Sequence, residues 1–470
     1  MPSIADILKN NGDDFQKIVD KLCEDTTDDR SPLEYLEEYK GKRERRAKSV
    51  GMRQNKIVGE GSAQKVIKVA KLVFAYPKKI VRTAVAFLFG GEMTYSNSES
   101  DEGFKEFKRV WEKDLKMHSL IKRFARTVMT ETKAAILFYP QTTLDLKGAK
   151  KTRLRAKLLT VDSGEFYPHF DDYGDMDAFI WKFSAKGSDG KEREHIKIYT
   201  SNLTISATKE DGDWIPKTAP NLFKKIPVVY GEQDNPEWED VATLMDEFET
   251  RISRLADTND YFAEPLVMMF GDAEGAPSKE EVGKMLKFEM VEDDDGKITH
   301  GDAKYLTWDQ TPESIKLELE TLRNGIFSMS STPDLSFDNV KGIGNVTGIA
   351  MKLMFMDAIL KASERDDLIE AVQRMVSVVK AGIGEITAVK YKNQLNENEI
   401  EVKFGSVLPD NLEEAVKVLV EATGGKAILS QKTAVSQSPF TIDAKEEINR
   451  LNSESEKDNQ RSSILGTSYQ

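Results

Sequence analysis

The sequence predicts an α+β chain, and two patterns carry that prediction. Apolar stripes at three- and four-residue steps mark long helices over residues 239–262, 311–330 and 346–380. Between residues 152 and 230, short alternating segments are divided by Asp- and Gly-rich turns, the pattern of an antiparallel meander.

Taken in order, residues 1–50 are polar and helical in pattern, and Ser31-Pro32 opens one helix with Pro at the first helical position. The basic run Lys42-Arg43-Glu44-Arg45-Arg46-Ala47-Lys48 has two readings. One is a nucleic-acid or partner contact; the favoured one is a solvated helix face. A helix is expected near 77–89, closed by Gly90-Gly91, and a helical region over 104–130 rests on Phe104, Phe107, Val110, Trp111, Leu115 and Leu120. Residues 133–139 read as a strand. The turns of the meander fall at 162–164, 171–175, 187–190 and 210–213, where Asp and Gly suit tight turns better than a cation site.

The helix over 239–262 carries Val241, Leu244, Phe248, Ile252 and Leu255 on one stripe. A compact insert over 263–310 then reads strand (265–270), helix (278–286), strand (288–291), turn and strand (297–300), with Asp295-Gly296 as a hairpin signal. Its acids do not make a calcium loop: with Gly296 sixth, Val291 would be the first ligand. Thr311-Pro312-Glu313 supplies a cap, a first-turn proline and an acid at the positive helix end. Ile315, Leu319, Leu322, Ile326 and Met329 follow as one stripe, and Pro333 stops the helix. The polar loop 331–345 holds one base, Lys341, and two acids, Asp334 and Asp338, while Gly342 and Gly344 leave its backbone free to bend. The long helix after it carries Leu353, Met356, Leu360, Leu368, Val372, Met375 and Val379. Strands near 385–391 and 399–404, helices over 410–422 and 430–436, a last helix after Ser438-Pro439, and a polar tail disordered over 456–470 complete the expectation.

Composition removes several function classes. The net charge of -13 argues against a protein that coats nucleic acid, though not against a channel through which DNA slides. A single cysteine, Cys23, rules out a disulfide framework and a cysteine-based zinc site. There is no long apolar run, no signal-peptide pattern, no phosphate loop, no nucleophile elbow and no His-Glu-x-x-His. Gly342-Ile-Gly-Asn-Val-Thr-Gly348 fails as a dinucleotide fingerprint, since its third glycine is one place late and a helix precedes it. No catalysis, cofactor or metal is expected.

Met329-Ser-Ser-Thr-Pro-Asp-Leu-Ser-Phe337, followed by Gly342-Ile-Gly-Asn-Val-Thr-Gly-Ile-Ala-Met-Lys352, resembles the tunnel-loop signature of siphophage-type portal proteins of tailed bacteriophages. The family's Ser-x-x-Pro-Asp start matches Ser330 to Asp334, and its Ser/Thr-Gly-x-Ala-x-Lys end matches Thr347 to Lys352. Lys79 to Gly90, Ile226-Pro-Val-Val229, Leu408 to Leu412 and Ser438-Pro-Phe440 resemble the family in the same order. The sequence departs at Ser330-Ser331, where the family often has glycine, and over the first fifty residues.

The resemblance implies a portal fold: an N-terminal segment (1–50), a mixed α/β wing (51–238), stem helices (239–262 and 311–330), a small α/β clip (263–310), a tunnel loop (331–345), a long wing helix (346–384) and a mainly helical crown (385–455). It implies a ring of about twelve copies at the unique capsid vertex, made in the host cytoplasm and resident in the virion. Double-stranded DNA would pass through it during packaging and ejection. Terminase large subunit, head–tail connector or adaptor, and major capsid or scaffold protein would be its partners, with no membrane. Asp334, Ser336, Asp338, Asn339, Lys341 and Asn345 would face DNA; Gly342, Gly344 and Gly348 would give flexibility; Glu280, Glu281 and Lys284 would meet a clip partner. The alternatives are another head or connector structural protein, or a metal-dependent nucleic-acid enzyme.

Overall fold

The computed structural model describes residues 4–10, 14–23, 31–58, 64–97, 101–144, 150–187, 190–263, 266–270, 273–274, 287–288, 290–292, 298–300, 302–306, 312–334, 353–405, 407, 412–424, 427–438, 440–441 and 444–466. Helices and antiparallel sheets occur together, as an α+β chain requires. They form two compact units: Met1–Pro333 with Leu360–Gly405, and Asp334–Ile359 with Ser406–Gln470.

The first unit begins with short helices α1 (Ile4–Asn10), α2 (Phe15–Leu22) and α3 (Pro32–Lys40). Ser31 caps α3 by accepting from the Glu34 N–H. An extended segment with a small hairpin, β1 (Lys56–Val58) and β2 (Lys65–Ile67), leads to α4 (Tyr76–Phe89) and strand β3 (Met93–Asn97). The helical stretch expected over 104–130 is two helices, α5 (Glu102–Arg109) and α6 (Met117–Glu131), separated by a π-helical turn and by Lys116 at φ 53.

Strands β4 (Lys133–Leu144), β5 (Lys150–Leu159), β6 (Glu165–Phe170), β7 (Met176–Lys186), β8 (Glu192–Thr200), β9 (Leu203–Glu210), β10 (Asp213–Pro220) and β11 (Val228–Glu232) follow. The meander is a five-stranded antiparallel sheet, β10-β9-β8-β7-β6; β11-β4-β5 form a second sheet of three strands. Asp211 and Gly212, both at positive φ, make the β9–β10 turn that the Asp-Gly signal predicts.

The five-stranded sheet is apolar on both faces. Phe179, Trp181 and Tyr199 pack on Ala135, Leu137, Leu159 and Val228 of the smaller sheet. Ala178, Ile180, Ile196, Ile198 and Ile205 point the other way and are covered by Ile4, Ile7, Ile18, Val19 and Leu22 of α1 and α2. Strand β11 lies so close to α6 that a Cβ on Gly231 would sit 2.6 Å from Phe124 Cζ.

Helix α7 (Ala242–Ala263) enters through a single 3-10 turn, and α8 (Pro312–Met329) starts at the expected proline. They are antiparallel: Leu244 faces Gly325, and Arg251 pairs with Glu318 at 3.1 Å. Between them run β12 (Leu266–Phe270), β13 (Ala273–Glu274), β14 (Lys287–Phe288), β15 (Met290–Glu292), β16 (Ile298–His300) and β17 (Asp302–Leu306), paired as β12 with β17, β13 with β14 and β15 with β16. The helix expected at 278–286 lies outside the described residues.

Four expectations are corrected. The long helix after the loop is two, α9 (Met356–Ser363) and α10 (Asp366–Gly382), because Arg365 leaves the helical region at ψ 49. Residues 385–391 are helical turns, not a strand: Ala388 N–H bonds Ile383 O, the buried Ile383 continues α10, and packing overrides β-branched propensity. Helix α11 (Lys392–Glu397) follows, and β18 (Ile400–Phe404) pairs with β3 as an antiparallel strand. The stripe on α8 stops at Ile326: Leu319 and Leu322 pack against the core and Ile326 is buried, but its last member, Met329, is 68% exposed, as is Leu317, off the stripe, at 66%. In the second unit, after α12 (Leu412–Thr423) and α13 (Gln431–Gln437), α14 (Ala444–Gly466) continues through much of the expected tail. Its first half is locally paired, with Arg450 on Glu446 at 2.6 Å and Ser453 Oγ donating to Arg450 O.

The main core joins Ile80, Val81, Val85 and Phe89 of α4 to Ile121, Phe124 and Val128 of α6 and to Val372, Met375, Val376 and Val379 of α10.

Candidate functional site

The glycine-bearing loop leaves α8 through a defined cap. Ser331 adopts φ 51, its N–H bonds Ser328 O at 3.1 Å, and the Thr332 N–H reaches back to Phe327 O at 3.0 Å. This is the Schellman arrangement, followed by Pro333, which cannot continue a helix. The left-handed position normally favours glycine. Where the sequence departs from its family by having serine, the backbone still makes the glycine-type turn.

The returning chain is fastened to the same place. Lys361 Nζ donates to Ser330 O at 3.0 Å and pairs with Glu237 at 2.8 Å. Arg365 pairs with the other Glu237 oxygen. The Glu237 side chain is fully buried, and its backbone N–H bonds Met129 O at the end of α6. Two cations on one buried carboxylate satisfy the rule that a buried charge needs partners. They also bring the two flanks of the loop to one point. Sequence reading missed Glu237, Lys361 and Arg365, because nothing in their spacing links positions more than a hundred residues apart.

Of the residues assigned to the loop, Asp334 is half-buried directly after Pro333. Ser336, Asp338, Asn339, Lys341, Gly342, Gly344, Asn345 and Gly348 lie outside the described residues, as do Glu280, Glu281 and Lys284 of the insert.

The second construction holds α7, and for the three arginines it overturns both readings of the basic run 42–48; Lys42 and Lys48 are exposed, as the solvated reading expects. The arginines neither face solvent nor await a polyanion. Arg43 Nε reaches Glu249 at 2.9 Å with both side chains essentially buried, and Arg43 Nη1 and Nη2 donate to Glu38 O and Phe74 O. Arg45 bridges Glu38 and Glu239, each at 2.6 Å. Arg46 bridges Glu38 at 2.5 Å and Asp246 at 2.9 Å. Further along, Arg53 pairs with Asp257 at 2.6 Å. Backbone N–H groups of the same segment then dock on α7: Ala70 on Asp257, Leu72 on Ser253 Oγ and Phe74 on Glu249, at 2.7, 2.9 and 2.8 Å. The acceptors Glu239, Asp246, Glu249, Ser253 and Asp257 recur at helical steps, so one face of the helix and its lead-in turn is a row of acceptors. Burial holds the Glu249 carboxyl above its usual range even with Arg43 against it.

An aromatic cluster closes the junction of α4, α7 and α8. Phe248 meets Phe74 edge-on at 5.1 Å and Tyr76 at 5.6 Å; Tyr76 meets Phe327 at 5.8 Å, and Lys79 lies 4.1 Å over the Phe327 ring.

Among the described residues no group of three His, Cys, Asp or Glu side chains is placed to hold a metal, and no helix is long and apolar enough to cross a membrane. His118, His169 and His195 sit apart on α6, β6 and β8, bonded to Phe89 O, Asp177 and Thr208. The arrangement is one of fixed helices, a clamped loop base and a closed insert. The family described as phage portal protein, SPP1 Gp6-like, matches residues 20–461. No curated protein matches the sequence.

Proposed function

The chain belongs to the SPP1 Gp6-like family of phage portal proteins, a family of structural proteins, and on that premise we propose that it forms a ring at one capsid vertex through which double-stranded DNA is packaged and ejected. The family match across residues 20–461 carries the proposal. The antiparallel pair α7–α8 supports it. The pair has an insert at one end and a glycine-bearing loop at the other, so one fixed rod separates two contact elements. The insert is the docking element for terminase large subunit and then for a head–tail connector or adaptor, through Glu280, Glu281 and Lys284. The loop is the DNA-facing element, through Asp334, Ser336, Asp338, Asn339, Lys341 and Asn345, with Gly342, Gly344 and Gly348 as its pivots. Major capsid or scaffold protein meets the outer part of the ring.

A conduit must not grip. Net negative charge with a lone base per loop gives weak contacts that are blind to sequence. Repeated around a ring, Lys341 makes one band of positive charge. Exposed Leu317 and Met329 on α8 fit a helix that a neighbouring copy covers.

Native mass spectrometry with negative-stain imaging tests the ring. A closed assembly of about twelve copies with a central hole is the expected result. A small closed dimer with metal-dependent nuclease activity overturns it. For the loop, Lys341→Glu should lower packaging efficiency in a complementation assay; unchanged packaging removes Lys341 from the DNA path.

A further inference from the structure

Strand β5 is the outer strand of the three-stranded sheet, and its long hairpin with β4 carries a run of like charge. Lys151, Arg153, Arg155 and Lys157 occupy alternate positions, so all four side chains leave the same face. The intervening Leu154 and Ala156 face the main core, and the charged face itself ends against a second one, where Leu137 opposite Lys157 and Leu159 beyond it pack on Trp181, so the open stretch is the outer part of the ribbon. Across the ribbon, Lys151 faces Thr143, Arg153 faces Gln141, Arg155 faces Tyr139 and Lys157 faces Leu137, none of them acidic. Arg155 Nε donates to Gln141 Oε1 at 3.0 Å, and Lys157 lies 4.6 Å over the Trp181 ring. Among the described residues none of the four makes an ion pair, and Lys151, Arg153 and Lys157 are exposed. In a chain of net charge -13, a row of unneutralised cations is maintained against the average.

We propose that this face of the β4–β5 ribbon is a second contact for duplex DNA, which it holds by the phosphate backbone without reading sequence. The choice of duplex DNA as the polyanion rests on the portal reading above; the surface itself does not. Alternate strand residues stand about 6.8 Å apart, so the four cations span about 20 Å. Over that length duplex DNA presents about twelve phosphates, at one charge per ~1.7 Å of axis. Two of the four cations are arginines, whose planar forks suit phosphate oxygens. An acidic peptide fits less well. Adding a strand to β5 would need side-chain pockets at alternate positions, and this face offers Gln141 and Thr143 instead. Guarding an open edge explains a charge on the strand, but not four of one sign with neutral partners opposite.

The test compares the full-length chain with Lys151→Ser/Arg153→Ser/Arg155→Ser, which changes half-buried or exposed side chains only. Fluorescence anisotropy on a labelled random duplex of about 30 base pairs is read from about 50 to 200 mM salt. The variant should bind at least about tenfold more weakly at low salt, and its log–log salt slope should be shallower by about two to three, near 0.9 per lost phosphate contact. The conservative variant Arg153→Lys/Arg155→Lys should keep the slope. Equal affinity and slope for wild type and the serine variant overturn the proposal. So does a variant that loses only polyglutamate binding, which would assign the strip to an acidic protein partner. Native mass spectrometry on the same samples separates the two readings: absence of rings defeats the portal assembly, while the anisotropy comparison still decides the strip.

Discussion

Two basic runs of similar composition end in opposite situations. In Lys42 to Lys48 the arginines turn inward, Arg43, Arg45 and Arg46 being consumed by Glu38, Glu239, Asp246 and Glu249, while the lysines at its ends stay exposed. Lys150 to Lys157 turns outward, with neutral residues across the ribbon. The charge run does not decide its own fate. The first run lies in a segment without regular structure, free to place each guanidinium on the acceptor row of α7. The second is held to a two-residue period by β pairing, which sets Lys151, Arg153, Arg155 and Lys157 on one face, half-buried or exposed. A run of cations is therefore a clamp or a contact surface according to the backbone that carries it.

The largest effect should come from breaking the inward run. Arg43→Ala strands the buried Glu249 carboxylate, and about 3–5 kcal/mol of stability should be lost in urea unfolding. The double replacement Arg43→Leu/Glu249→Leu should lose much less, since no charge is left without its partner. A double variant as damaged as the single one would show that packing, not charge, holds the clamp.

Glu131 sharpens the comparison, because it is a carboxyl buried without a cation pressed against it. Burial pushes it up to about 7 from an ordinary 4.5, against the Val161 N–H at 2.8 Å, which favours the charged form. Between pH ~4.5 and ~7 the folded state therefore keeps a proton that the unfolded chain has released. Stability falls as pH rises through that window and is level above it. Glu131→Gln should remove the slope and be more stable than wild type at pH 8 by about 3 kcal/mol, with the two proteins equal near pH 4. Parallel pH profiles of melting temperature would contradict this.

How much of this was legible follows the same line. The meander was readable because each turn announces itself locally, as Asp211-Gly212 does. The helices α7 and α8 were readable because apolar side chains recur at three and four residues. The arginine clamp was not. Its acceptor row on α7 has a visible period, but the donors lie about 200 residues earlier in an aperiodic segment, and only the fold brings them together. The break at Arg365 was hidden for a similar reason. Apolar periodicity continues past it, while the partner that Arg365 meets there is Glu237, well over a hundred residues away. Of the residues proposed to face DNA or to dock a partner, only Asp334 lies among the described residues; the residues that fasten the loop were the ones sequence could not indicate.

Three smaller effects complete the comparison. Arg365→Ala leaves Glu237 with Lys361 alone and should cost about 2 kcal/mol, less than the loss at Arg43 because a second cation remains. Ser331→Gly relieves a left-handed serine and should raise stability by about 0.5–1 kcal/mol, seen as a small upward shift in melting temperature. Serine replacements on the outward run should fall within about 0.5 kcal/mol of wild type, since they remove no buried contact.

The pairing of β12 with β17 gives the insert a modular character. Leu266 stands opposite Leu306, so the chain comes back beside the point at which it left α7. Everything between Phe270 and Asp302 hangs from a closed doorway. Doubling the length of such a closed loop adds only about 0.6 kcal/mol of closure entropy. Evolution can therefore replace the contents without disturbing the helices that frame them. On the docking role proposed for the insert, a fixed mount with an interchangeable fitting suits a lineage whose partners change faster than the wall it is set in.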